Sequence, residues 1–76
     1  MVIPLNYIQP HQEAQIVWLA SPPDMARRLM DLGFEPQEMI SCVLKGRKNG
    51  MSAYLVNHAV IALRNKDAAG IFVKLP

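Results

Sequence analysis

The chain has 76 residues, of which 51% are hydrophobic and 18% charged, with a formal net charge of +2. A chain of this length buries only about 60–65% of its unfolded surface, which supports one thin core and excludes two domains. The hydrophobic share argues against disorder, and so small a charge weighs against a phosphate-tracking surface, which needs clustered cations with aromatic residues among them.

A lone Cys42 leaves no partner for an internal disulfide, so packing must hold the fold and a reducing, cytoplasmic compartment is expected. The first seven residues lack a basic leader and are broken by Pro4, so they read neither as a signal peptide nor as a span of about 20 apolar residues. Any association with a membrane is therefore expected through a partner, without direct insertion.

Val2–Glu13 has two prolines and no sustained period, and reads as an ordered loop whose Leu5 and Ile8 tuck against the core. Ala14–Leu19 is the first strand, with Ile16 pointing inward. In Ser21-Pro22-Pro23-Asp24 a Ser suits the N-cap, a Pro the first helical position and an acid the third, so a helix starts here. Met25, Leu29 and Leu32 share one helical stripe, Asp24 is spaced to pair with Arg28, and Gly33 supplies a left-handed end against which Phe34 packs back. Glu35-Pro36-Gln37-Glu38 then reverses the chain. Met39–Lys45 alternates, with Ile40, Cys42 and Leu44 on one face. An exposed tip, Gly46–Gly50, leads to the returning strand Met51–Val56, and Asn57-His58 turns that strand into Ala59–Arg64. In the last segment Asn65 is expected to cap a single helical turn through the N–H near Ala68, Gly70 to end it in a left-handed conformation, and Ile71–Val73 to resume a strand. One helical turn survives in water only when both flanking strands are already paired.

These elements predict a single mainly β domain over residues 1–76: a small SH3-like, five-stranded, partly open barrel. One α-helix separates strands one and two, and a short helical turn precedes the last strand. The same order could also fit an oligonucleotide- or oligosaccharide-binding barrel, although that fold favours longer strands and places its helix between strands three and four.

The residues Arg28-Leu29-x-x-Leu32-Gly33-Phe34 followed by Pro36, then Ile61-Ala62-Leu63-Arg64-x-x-x-Ala68-x-x-Ile71-x-Val73, with Ala14-x-Ile16 upstream, carry a resemblance over nearly the whole chain. In these the chain resembles the ferrous iron transport protein A family (FeoA), small cytoplasmic SH3-like proteins that accompany a membrane ferrous-iron transporter called FeoB. The C-terminal domain of iron-dependent transcriptional repressors looks similar, and the present chain would be the free-standing form. It departs from the family pattern at Gln37 and His58, where glycine is usual, and at Asn49-Gly50-Met51, where Gly-Asp-Pro is usual. A non-glycine residue at either of the first two implies another turn type or about 1 kcal/mol of strain.

His11, His58 and Cys42, with several carboxylates, are the residues that could ligate a metal, but none has the close spacing that paired ligands show. Cys42 reads as a core thiol. No phosphate loop, no activated nucleophile and no paired carboxylates suggest catalysis, so no catalytic or cofactor-binding residue is assigned and no cofactor is expected beyond a functional link to ferrous iron. Lys45, Arg47 and Lys48 flank the hairpin tip, either as a solvated turn or as a contact for an acidic protein surface, a lipid headgroup or nucleic acid. In Met51–Val56 both faces are apolar, although a barrel strand has only one face to bury. Met51, Ala53 and Leu55 are therefore expected outside, covered by the lead-in, by a partner or by a second copy.

The resemblance implies an accessory protein of ferrous-iron uptake that binds and modulates the cytosolic region of the transporter and is recruited by it to the inner face of the membrane. A homodimer is possible and nucleic acid is not an expected partner. The alternatives are a metal-sensing or metal-delivery domain and a basic barrel that binds nucleic acid.

Overall fold

Strand-forming residues collect in short runs, and in the computed structural model, which describes Met1–Pro76, these runs become six strands and two helices. The strands are β1 (Val2–Pro4), β2 (Glu13–Leu19), β3 (Met39–Leu44), β4 (Met51–Val56), β5 (Ala59–Arg64) and β6 (Ile71–Lys74). Helix α1 (Pro23–Asp31) joins β2 to β3, and the single turn α2 (Asn65–Ala68) joins β5 to β6. All neighbours are antiparallel in one sheet of order β1-β6-β2-β3-β4-β5, which leaves β1 and β5 as its edges. The expected mainly β, partly open architecture is present, with six strands instead of five.

The added strand comes from the lead-in. Val2, Ile3 and Pro4 pair with Lys74, Val73 and Phe72, and a 3-10 turn at Leu5–Tyr7 then seats Leu5 in the core. Three residues are too few to display a period of two, so only the partner strand reveals them. Leu5, Ile8 and Ile16 are fully buried, as their apolar character requires.

Helix α1 differs from expectation at its start. Pro23 follows Pro22, and the residue before a proline is disfavoured in the α region. Pro22 accordingly stays extended (φ −56°, ψ 152°) and becomes the N-cap, with no side-chain capping bond. Ser21 thus falls one residue too early to cap. Asp24 and Arg28 do not pair; the chain's one ion pair joins Arg64 and Asp67 at 3.7 Å. Only Leu29 of the helix is buried, whereas Leu32 is half exposed because the helix stops at Asp31 and Leu32 caps it. Gly33 (φ 112°) turns the chain, donating to Met30 O at 3.0 Å, while the Phe34 N–H reaches Leu29 O at 2.9 Å. This is the Schellman arrangement. It drives Phe34 into the core.

Both turns in which this chain lacks the usual glycine keep their geometry. Gln37 (φ 79°) follows Pro36 in a turn closed by Glu38 N–H to Glu35 O at 3.1 Å, and Asn57 (φ 51°) and His58 (φ 66°) make the two-residue β4–β5 hairpin. The turn types are retained, so the non-glycine side chains sit in the left-handed region.

In the last segment two expectations fail. Asn65 is the first helical residue, its side chain caps nothing in α2, and Arg64 is the N-cap. Gly70 does not have a positive φ. A Cβ there would lie 2.8 Å from Ser21 Oγ, which would have to rotate aside, while the nearest backbone atoms stand at 3.6 Å.

Candidate functional site

The strand β4 owes its two-faced apolar pattern to a division that the sheet makes explicit. Ser52, Tyr54 and Val56 point inward and are buried, whereas Met51 and Leu55 are 53% and 44% exposed on the outer face and Ala53 is half-buried between them. The β1 segment does not cover them, because it lies at the opposite edge of the sheet. On β5 the register sets Arg64, Ala62 and Val60 beside Met51, Ala53 and Leu55.

On the other flank, the β3–β4 register shifts between Cys42 and Leu44. Val43 is the extra residue of this bulge, so Leu44 pairs with Ala53 and turns outward, 67% exposed, instead of facing inward with Ile40 and Cys42. The outer face therefore holds Leu44, Met51, Leu55 and Val60 as large apolar side chains. Leu44 escapes a reading based on strict alternation, because an extra residue between two fixed partners is visible only once the strands are paired; Val60 follows the alternation of β5, on the face opposite Ile61 and Leu63. A second aromatic surface lies elsewhere on the sheet, where a bulge in β2 stacks Trp18 on Phe72 with ring centres 5.5 Å apart.

The cationic tip separates into two kinds of residue. Arg47 and Lys48 are exposed. Lys45 instead bends inward and donates to the carbonyls of Asn6 and Ile8, the latter at 2.8 Å, so its charge pins the lead-in to β3. It is not available as a free tip cation. The tip is shaped from below by a buried polar chain: Gly46 N–H donates to Ser52 Oγ at 3.0 Å, Ser52 donates to Asn65 Oδ1 at 2.7 Å, and Asn65 Nδ2 donates to the carbonyls of Arg47 and Lys48. Gly46 is required there, since a Cβ would stand 1.7 Å from Met51 O.

Cys42 is buried and unpaired by any disulfide. Burial pushes its thiol above the ordinary value, opposed by the positive charge of Lys45 and a backbone hydrogen bond at Leu44. Tyr54 is also pushed up by burial; the Ser52 hydroxyl nearby offsets this only in part, and its own hydroxyl oxygen has no hydrogen-bond partner. Both groups point into the core, away from the outer face. His11 and His58 are exposed in separate turns, and His58 lines a cleft of about 300 Å³ with Glu13 and Glu38. No three side chains of His, Cys, Asp or Glu gather to hold a metal ion. No helix is long and apolar enough to cross a membrane.

The geometry is that of a small scaffold with an apolar outer surface. Comparison with known proteins locates it among others. The search of curated proteins finds no match. Among solved structures, an iron uptake regulatory protein (FeoA) superposes with a TM-score of 0.88 at 20% identity, covering 97% of each chain. The FeoA protein of Chlorobium tepidum gives 0.87 at 23% identity, over 96% of this chain and 70% of that one. A manganese-dependent transcriptional repressor gives 0.89 at 16% identity, and there this chain spans 42% of the longer protein. At these identities the likenesses establish the fold. A family model, the FeoA domain, matches residues 3–75. With that match over almost its full length, the chain belongs to the FeoA domain family.

Proposed function

We propose that this protein is a non-enzymatic accessory module of ferrous-iron uptake that docks on the cytosolic region of the membrane ferrous-iron transporter and modulates it. The observation that carries the docking surface is the outward placement of Met51 and Leu55 on β4, which is paired on both sides by β3 and β5. Covering both removes about 150–200 Å² of apolar surface from water, worth roughly 4–5 kcal/mol at ~25 cal/mol/Å² before association entropy is subtracted. Charge on that face reverses the gain. The double variant Met51→Glu, Leu55→Lys is expected to melt within a few degrees of the parent and to lose capture by the transporter's cytosolic domain. Undiminished capture by the folded double variant would move the docking surface elsewhere, with the Arg47–Lys48 tip next to be tested.

A further inference from the structure

The two edges of the sheet are defended very differently. Strand β1 is three residues long and ends in Pro4, which has no N–H to offer. Strand β5 has six residues, pairs with β4 at six consecutive positions without a bulge, and contains neither proline nor lysine. Its only charge is Arg64, at its end. Long, regular and uncharged edges are templates for further strand pairing.

Which groups face outward follows from the hydrogen bond of Asn65 N–H to Gly50 O, 2.9 Å long, which continues the β4–β5 ladder. Backbone groups alternate along an antiparallel strand. Leu63 and Ile61 thus address β4, as Asn65 does, while Arg64, Ala62 and Val60 direct their backbone groups away from it. Nothing in the chain takes up the N–H groups of these three residues. The three side chains are exposed too.

We infer that β5 pairs antiparallel with β5 of a second copy of this chain, about a two-fold axis at Ala62, to make one continuous twelve-stranded sheet. Residues that face each other across such an axis must share a sheet face, and centring on Ala62 satisfies this for all three outward residues. Ala62 meets Ala62 of the second copy, and Val60 meets Arg64 of the second copy at each end. A slide of two residues either way leaves only two facing pairs. Self-pairing also suits the charges. The arginines stand four residues from their own images and lie beside Val60, whose apolar surface accepts their aliphatic stems, so no like charges oppose each other. The pairing joins the outer faces as well: Leu55 and Val60 of one copy run on to Arg64 and Met51 of the other, with small alanines at the centre. One edge of six residues buries less than the ~1,200 Å² of a stable complex, so the dimer is weak and concentration-dependent.

Sedimentation between about 10 µM and about 1 mM covers the range in which so small an interface associates. The wild-type chain is expected to shift from monomer to dimer, with amide exchange slowing at Val60, Ala62 and Arg64 as dimer accumulates. Ala62→Lys places two like charges on the axis with its side chain outward, and Ala62→Pro removes the central N–H; each is expected to stay monomeric. Should the proline variant unfold, the lysine variant decides. A monomer at every concentration, a dimer that Ala62→Lys leaves intact, or edge protection that appears only on adding the transporter's cytosolic domain would each overturn the inference. Ala62→Lys also puts charge beside Met51 and Leu55, so capture is compared instead in the folded Ala62→Pro variant and in the wild-type chain at about 10 µM, where it is monomeric; capture retained in either without the dimer separates this inference from the proposed function.

Discussion

Asn65 is the residue whose removal should do most damage for its size. Its amide accepts from Ser52 and donates to two carbonyls of the β3–β4 tip, and both Asn65 and Ser52 are almost wholly buried. Asn65→Ala strands the Ser52 hydroxyl without its acceptor, at about 1–3 kcal/mol, and forfeits a net ~1 kcal/mol for the bonds to the tip, whose carbonyls water can reach. The sum is about 2–4 kcal/mol. For a domain this small each 1 kcal/mol moves Tm by about 4–8 °C, so a fall of more than ~10 °C is expected. Asn65→Asp keeps the acceptor but sets an anion against the Arg47 and Lys48 carbonyls, and should not rescue. Ser52→Ala alone leaves Asn65 Oδ1 and Gly46 N–H unpaired, whereas the double variant Ser52→Ala, Asn65→Ala removes both ends of the central bond. Its cost should therefore fall short of the sum of the singles by about 1 kcal/mol or more. Thermal and urea melts of the four proteins test this. An Asn65→Ala protein that melts within ~2 °C of the parent, or strictly additive losses, would refute the clamp and return Asn65 to the role of an ordinary first helical residue.

Leu29→Ala and Leu63→Ala should each cost about 2–4 kcal/mol, since both side chains are buried in the single core. Leu32→Ala, on the exposed helix end, should change stability by less than ~1 kcal/mol, and equal losses in denaturant melts would contradict the assigned helix face. The fold should also weaken in alkali. Cys42 and Tyr54 hold their protons more tightly when folded than at their ordinary values of 9.0 and 10.0, so the unfolded chain releases protons first and stability declines as pH rises past about 9. Urea midpoints should be level from about pH 7 to 8 and drop above that, and in Cys42→Ala the drop should begin nearer pH 10; a midpoint that rises with pH would reverse the sign of both shifts.

Local chemistry, readable residue by residue, accounts for much of this molecule. Alternation in Met39–Cys42 and Met51–Val56, the Gly33-Phe34 helix end, the Asn57-His58 hairpin and the plugs Leu5 and Ile8 each depend on neighbours a few positions away, and each lies where that chemistry places it. The outward placement of Met51 and Leu55 is legible for the same reason, since a six-residue strand with two apolar faces has one face too many for a single layer. What tertiary structure alone decides are the positions whose state depends on a distant partner. β1 exists because β6 is there to receive it, and Leu44 turns out to the surface because a bulge against β4 inserts one residue. Lys45 gives up its role at the tip because the lead-in brings two carbonyls within reach. Asn65 leaves the cap it could have made because Ser52 and the hairpin tip, 13 to 18 residues away in sequence, offer it more hydrogen bonds than its own helical turn. In each case a long-range contact outweighs a local preference of about 1 kcal/mol, and no local pattern in the chain carries that information.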